Sequence, residues 1–132
     1  MNSDFPMDES CFACGAQNKN GLKLTISGDS EGVLASIAPP AWSQGYHGVV
    51  HGGIVATILD EMAVWAAFKK GYKSVTAELT MRIRNAMRVD ENYTATARVV
   101  NTKHRLIEAE SNIQDKKKQL IATAKLKLLK VD

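Results

Sequence analysis

The sequence predicts an α+β fold in which a long antiparallel β-sheet wraps around one central, buried α-helix. One stretch of helical length is apolar on every face, which is typical of a helix covered on all sides. The segments after it are rich in β-branched residues or alternate between apolar and polar residues, as strands do. Short connections join these segments, which favours antiparallel neighbours.

Length and composition fit one globular domain spanning residues 1–132, with 45% hydrophobic and 23% charged residues. No apolar run is long enough to cross a bilayer, and the start MNSDFPMDES has no basic end and no apolar core of a secretory signal. We therefore expect a cytoplasmic protein without a membrane partner.

The net charge of +3 is unevenly distributed, because twelve of the 17 basic residues lie from Arg82 onward. A moderate basic excess suits a ligand that carries phosphates. Aromatic residues are not interleaved with these cations, so we expect no nucleic-acid partner.

The first elements are two strands. Apolar residues alternate with polar ones over residues 22–27, turn-forming residues occupy 28–32, and residues 33–37 form the return strand. Pro39 and Pro40 end it, because proline cannot continue a strand ladder.

The helix spans residues 52–68, of which 12 are apolar. Two lysines and a glycine at 69–71 end it, as expected for cations in the last turn followed by a helix breaker. Since one sheet can cover only part of such a helix, an exposed apolar face would remain on a monomer. The pattern therefore predicts a homodimer.

Everything after the helix indicates strands. Four runs, at residues 75–87, 93–102, 105–114 and 119–131, are separated by short polar connections that predict hairpins.

The only cysteines, Cys11 and Cys14, lie close together in the stretch CFACG. Structural zinc normally takes four ligands and a second cysteine pair is absent, so no metal is expected. No strand precedes the pair to begin a thioredoxin-like unit. We interpret both as reduced, packed side chains.

Asp60 lies within the apolar helix, where a carboxylate is costly unless it is hydrogen-bonded or paired. Either a structural bond to a neighbouring strand or subunit or a catalytic role explains it. Gly52 and Gly53 open the helix, where free backbone N–H groups and the helix dipole favour negative charge. His51 alone fits either a capping or a functional residue.

Together these residues indicate a reaction. N–H donors at the helix start can stabilise an oxyanion, and a carboxylate two turns later can act as a general base in the same cleft at a subunit boundary. No serine or cysteine lies in a recognisable nucleophile elbow. The combination fits acyl transfer to water.

The stretch HGGIVATILD at residues 51–60 resembles the signature HGG-x-x-x-x-L-x-D of the PaaI-like (phenylacetate-type) hotdog thioesterases. Ile58 occupies the usual leucine position, and the leucine here is the next residue, Leu59. The opening CFACG, followed by Asn18 and then Gly21-Leu22, is similar to the start of many of these proteins, and residues 75–79 resemble the strand after their helix. The resemblance covers nearly the whole chain.

This resemblance implies a hotdog-fold acyl-CoA thioesterase that assembles into dimers and often dimers of dimers, and that needs no cofactor. Asp60 would be the general base or the nucleophile, and the Gly52 N–H would polarise the thioester carbonyl. His51 would orient the loop and substrate. Thr76 would supply a hydroxyl from the opposite subunit, and Glu78 is a further candidate for that cleft.

Substrate contacts are expected from Gly53, Gln44, Glu78, Arg82 and Arg84. The two arginines alternate with apolar residues on one strand face, which suits either solvent or the phosphates of coenzyme A. The family often has asparagine six residues before the motif histidine, where this chain has Gly45; the neighbouring Gln44 is the candidate substitute.

Two other functions remain open at this point. A non-catalytic acyl-CoA-binding module on the same fold would bind the ester without releasing thiol. A hotdog hydratase or dehydratase would add water to an enoyl-CoA, although such enzymes carry a different motif.

Overall fold

The computed structural model describes residues 5–131, so residues 1–4 and 132 of the predicted 1–132 domain lie outside it. One long helix packs against a six-stranded antiparallel sheet, as the sequence predicts. The strands are β1 (Ser27–Asp29), β2 (Gly32–Ile37), β3 (Ser74–Ile83), β4 (Tyr93–Lys103), β5 (Leu106–Asp115) and β6 (Leu120–Lys130). The helix is α1 (Gly52–Lys69), preceded by a short 3-10 turn at Ala41–Ser43.

The helix begins where the sequence predicts and ends at Lys69, one residue later than predicted. His51 is its N-cap, with its ring accepting a hydrogen bond from the Gly53 N–H. Lys70 caps the C-terminus and Gly71 follows with φ of +99°, a conformation that favours glycine.

The strand order β1-β2-β4-β5-β6-β3 leaves β1 and β3 at the two edges. The predicted hairpins β4–β5 and β5–β6 are confirmed. The hairpin predicted between β3 and β4 is wrong, because β3 pairs with β6 while β4 pairs with β2 and β5. Residues 84–92 connect β3 at the sheet edge to β4 inside the sheet. Met87 in this connection is buried, and its carbonyl accepts a hydrogen bond from the Val50 N–H.

The first predicted strand is also misplaced. Leu22 and Leu24 are buried, as their alternation predicts, yet the only strand here is the short β1 from Ser27. Their backbone N–H groups bond to the carbonyls of Phe12 and Ala13 instead of to the sheet. The alternation therefore reflects burial against the N-terminal segment. The third strand likewise ends at Ile83, earlier than the predicted residue 87.

The helix is not buried on every side within one chain. Seven residues from Val55 to Ala67 are buried against the sheet. The opposite face is half-exposed or exposed and consists of Gly53, Ala56, Thr57, Asp60, Glu61, Val64 and Phe68. Ser111 of β5 fixes the buried side, because its hydroxyl donates to the Leu59 carbonyl over 2.9 Å. The half-exposed helix face carries the candidate functional residues.

Within residues 5–131, no helix is long and apolar enough to cross a membrane.

Candidate active site

The start of the helix is shaped around the His51 ring. Its Nδ1 accepts the Gly53 N–H over 2.9 Å, so the proton of the neutral ring lies on Nε2 and remains available as a donor. The backbone N–H of His51 donates to the Ser43 carbonyl over 2.8 Å. These two bonds fix both the loop and the ring at the helix N-terminus.

Gly45 and Gly53 give the ring its space. A Cβ on Gly45 would lie 3.2 Å from His51 Cδ2, and a Cβ on Gly53 would lie 3.1 Å from His51 Nδ1. Glycine at position 45, where the family often has asparagine, therefore accommodates the histidine ring. The side chain of the neighbouring Gln44 is bonded within the loop, where its Oε1 accepts the Gly48 N–H over 2.9 Å.

Gly52 has open space and an unused donor. A Cβ there would meet only Ile83 Cδ1, at 3.7 Å. Among residues 5–131, no group accepts a hydrogen bond from its N–H. This free donor at the positive end of the helix dipole can stabilise an oxyanion.

A pocket of about 500 Å³ lies beside this donor. Its walls are mainly apolar and come from the loop before the helix, the helix start and the segment after β3; they include Tyr46, His51, Gly52, Val55, Ile83 and Met87. The sequence analysis did not predict Tyr46 and Ile83 as residues of the site. Ile83 could have been found, because its alternation with Arg82 and Arg84 places it on the opposite strand face.

Asp60 is half-buried on the open helix face. The Thr76 hydroxyl of the same chain donates to its Oδ1 over 2.5 Å. The contact that the resemblance assigns to the opposite subunit is thus made within one chain. No cation pairs with Asp60 in the part of the chain that the structure describes, and its second oxygen has no partner there.

Asp60 and Gly52 do not meet within one chain. Eight residues separate them, which is about 12 Å along a helix rising 1.5 Å per residue. Consistent with this distance, Asp60 is absent from the walls of the pocket beside Gly52.

The structure does not bring Glu78 to Asp60. Glu78 pairs in register with Lys127 on the sheet face opposite the helix, 3.7 Å from its ammonium group. The β-bulge between Thr76 and Glu78 puts the two side chains on different faces. Within the single chain, Glu78 therefore lies on the other sheet face from Thr76 and Asp60.

The two arginines are exposed, and only one lies near the pocket. Arg82 is on the same outer face as Glu78, opposite Thr123 of β6. Arg84 follows the end of β3, between Ile83 and Ala86, which both line the pocket. Arg84 is accordingly the better placed of the two for a ligand that enters there.

A second group of polar side chains lies further along the helix. Glu61 Oε2 accepts from Trp65 Nε1 over 3.2 Å and from the Cys11 thiol over 3.8 Å. Burial and the neighbouring Glu61 carboxylate raise the pKa of the Cys14 thiol to about 12. The cysteines are free and half-buried rather than fully packed.

A family model described as the thioesterase superfamily matches residues 47–122, more than half of the chain. Among proteins with curated functional descriptions, none matches the chain.

Solved structures resemble the whole fold. The thioesterase superfamily protein RHA08564 is 23% identical with a TM-score of 0.86; the match covers 92% of this chain but only 60% of that protein. The E. coli PaaI protein from the phenylacetic acid degradation operon is 18% identical, with a TM-score of 0.77 and 84% and 81% coverage. The protein smu.793 of Streptococcus mutans, solved with acetyl CoA bound, is 16% identical, with a TM-score of 0.77 and 82% and 88% coverage. These likenesses confirm the hotdog fold.

Proposed function

The chain belongs to the thioesterase superfamily, and from this premise we propose that it hydrolyses acyl-CoA thioesters, with Asp60 as the general base or nucleophile. One observation carries the proposal. Asp60 is half-buried and held by Thr76 without a cationic partner among the described residues, on the same helix whose first N–H is free beside an apolar pocket.

The reaction uses two groups of the helix, the Gly52 N–H and the Asp60 carboxylate. The Gly52 N–H, aided by His51 Nε2–H, would donate to the thioester carbonyl oxygen as it gains negative charge. Asp60 would take a proton from water as the water oxygen attacks the carbonyl carbon. When the tetrahedral intermediate collapses, the C–S bond breaks and the Asp60 carboxyl returns its proton to the departing sulfur, so that coenzyme A leaves as its thiol, the carboxylic acid is the co-product and Asp60 is again a carboxylate.

We propose further that two copies of the chain complete each site. In the reacting complex the carbonyl carbon lies about 3 Å from the attacking water, and the carbonyl oxygen lies within hydrogen-bond distance of the Gly52 N–H. On one helix, about 12 Å separates Gly52 from Asp60. Two helices packed antiparallel would bring Gly52 of one subunit to Asp60 of the partner subunit. The half-exposed helix face and the unpaired outer edge of β3 support this pairing.

The substrate class rests on three features. The apolar pocket suits an acyl chain or aromatic ring, and the exposed Arg84, next in sequence to the pocket residue Ile83, suits the phosphates of coenzyme A. The fold neighbour smu.793 was solved with acetyl CoA bound. Arg82 would be a more remote phosphate contact. Gly53 would act indirectly, because its N–H donates to His51 Nδ1 and so orients the histidine ring.

The decisive experiment measures thiol release from a panel of short, medium, long and aromatic acyl-CoAs. We expect Asp60→Asn to lower kcat by about 100- to 10,000-fold, the usual contribution of a general base. Asp29→Asn is the matched control, because Asp29 is exposed and the amide oxygen of the introduced asparagine can still accept the Glu31 N–H. Gel filtration and circular dichroism check that the variant keeps the fold and assembly.

Three results would contradict the proposal. An Asp60→Asn variant with near wild-type turnover would remove Asp60 from the mechanism. Saturable acyl-CoA binding without thiol release would indicate a binding module instead. Water addition to an enoyl-CoA without thiol release would indicate a hydratase.

A further inference from the structure

Three side chains of metal-ligand type meet outside the proposed hydrolytic site. The sulfurs of Cys11 and Cys14 and a carboxylate oxygen of Glu61 all lie within 4.8 Å of one another. The cysteines come from the N-terminal segment and the glutamate from the middle of the helix, fifty residues after Cys11. Only the fold reveals this third potential ligand, since the sequence shows the cysteine pair alone.

The loop that carries the cysteines is fixed by its backbone. The Gly15 N–H donates to the Cys11 carbonyl over 2.8 Å, and a Cβ on Gly15 would lie 2.2 Å from the Glu9 carbonyl oxygen. The residues between the cysteines are anchored as well, because Phe12 and Ala13 accept backbone bonds from Leu22 and Leu24. The backbone that carries both thiols is therefore fixed before any ion binds, and both sulfurs lie within 4.8 Å of a Glu61 carboxylate oxygen.

Glu61 is held from the other side. Trp65, one turn further along the helix, donates its indole N–H to Oε2. Within residues 5–131 the two ion pairs are Arg98–Glu110 and Lys127–Glu78, so no cationic side chain neutralises Glu61 there. A half-buried carboxylate beside two thiols and without a counter-charge is a suitable place for a cation.

A pocket of about 240 Å³ lies beside the three side chains. Its walls include Cys11, Cys14, Glu61 and Trp65, together with apolar residues of the N-terminal segment and the helix. An ion bound by the three side chains would face this pocket. A water or another small ligand can then complete a tetrahedron.

We propose that Cys11, Cys14 and Glu61 bind one divalent metal ion of the zinc type. Zn–S bonds of about 2.3 Å and Zn–O bonds of about 2.0 Å put tetrahedral S and O ligands about 3.5 Å apart. The Cys11 Sγ to Glu61 Oε2 distance is 3.8 Å and all three ligand atoms lie within 4.8 Å of one another, so shifts of up to about 1 Å bring them to this spacing. Binding converts both thiols to thiolates and releases two protons to solvent, which leaves the ion, two thiolates and the carboxylate with a net charge of −1.

The ion would tie the N-terminal segment to the helix. Glu61 is the sequence neighbour of Asp60, but its side chain contacts Cys11 and Trp65, whereas Asp60 contacts Thr76. The metal site is consequently a structural tether that the proposed hydrolysis does not use. Failure of either proposal leaves the other standing.

The test uses the full chain, reduced and stripped of metal with a chelator, and titrated with Co²⁺ as a spectroscopic probe and with Zn²⁺ against a competing chelator. We expect one equivalent to bind, thiolate-to-cobalt charge-transfer absorption, the strong d–d bands of a tetrahedral site, and a higher Tm with Zn²⁺. Cys11→Ser and Cys14→Ser should each abolish the charge-transfer change or weaken binding at least about tenfold, and Glu61→Gln should weaken it about tenfold or more.

The matched control is Glu31→Gln, a substitution of an exposed glutamate whose side chain contacts none of the three ligands. It should bind Co²⁺ as the wild type does. The proposal is overturned if the reduced wild-type chain shows no stoichiometric binding, a result that requires no variant to fold. It is also overturned if Cys11→Ser/Cys14→Ser or Glu61→Gln binds with unchanged affinity and spectrum.

Discussion

The Thr76 hydroxyl at the start of β3 donates a hydrogen bond to the Asp60 carboxylate in the middle of α1. This bond joins an edge strand to the open face of the helix. It occupies one carboxylate oxygen and leaves the other without a partner among residues 5–131. Thr76 is accordingly a positioning residue for the proposed base.

Removing the Thr76 hydroxyl should lower turnover. A hydrogen bond to a charged group contributes about 1.5–3 kcal/mol, so we expect Thr76→Val to reduce kcat roughly 10- to 100-fold. KM should change little, since Thr76 does not line the pocket beside Gly52. Valine retains the β-branched shape that suits a strand.

Thr76→Ser is the matched control, because serine keeps the donor and should restore most of kcat. Steady-state kinetics on the best acyl-CoA of the panel separates kcat from KM. Equal kcat for the valine and serine variants would show that the hydroxyl does not orient Asp60.

The Gly52 N–H can be deleted without disturbing the helix. Proline is well accepted at the first helical position, and His51 already has φ of −59° and ψ of 136°, a conformation compatible with a following proline. We expect Gly52→Pro to lower kcat about 100- to 1,000-fold, the usual effect of losing one oxyanion donor. Thermal unfolding should stay close to that of the wild type.

Gly52→Ala serves as the comparison, since it keeps the N–H and its Cβ meets only Ile83, at 3.7 Å. Much smaller losses are expected from alanine than from proline. Were alanine and proline to lower kcat equally with unchanged Tm, the free N–H would have no part in catalysis.

Mixed subunits test how the site is assembled. A hetero-oligomer of Asp60→Asn and Gly52→Pro chains contains one intact Gly52 and one intact Asp60. If each site takes these residues from different subunits, one site per pair is complete, and about half of the wild-type activity returns. Differently tagged chains, co-expressed and purified through both tags, provide the sample. A hetero-oligomer as inactive as both parents would place Gly52 and Asp60 of one chain in the same site.

Local signals in the sequence were sufficient for the helix and most strands. Glycines at 52–53 and the Lys69–Gly71 stop mark both ends of α1, and alternation in β6 correctly separates buried Leu126 and Leu128 from exposed Lys125 and Lys127. The resemblance over residues 51–60 predicted the fold and family. These features depend on neighbours in the chain.

The errors arise where the pairing partner of a segment is not determined by the local pattern of that segment. Leu22 and Leu24 alternate like a strand, but their backbone bonds go to Phe12 and Ala13. No local pattern predicts that β3 pairs with β6. The sequence also does not indicate the bulge that places Glu78 and Thr76 on different faces of the sheet. The approach of Glu61 to Cys11 likewise depends on tertiary packing alone.

Tyr93 at the start of β4 should make stability depend on pH in alkali. Its hydroxyl accepts the Arg88 N–H over 2.8 Å and donates to Glu91 over 3.2 Å. Burial, with a further contribution from Glu91, raises its pKa above the ordinary 10.0. Tyr93 thus stays protonated in the folded chain while it ionises in the unfolded chain. Its contribution is complete below pH 10.0 and is lost as the pH rises through the raised pKa.

The comparison of wild type with Tyr93→Phe isolates this effect, because every other tyrosine and lysine is shared. At pH about 8 the variant should be about 1–3 kcal/mol less stable, since the partly buried Arg88 N–H loses its acceptor. From pH about 10 to about 11 the difference should shrink, because only the wild type has Tyr93 to ionise on unfolding. Urea unfolding followed by tryptophan fluorescence gives both free energies. A difference that stays constant over this range would mean that folding leaves the pKa of Tyr93 unchanged.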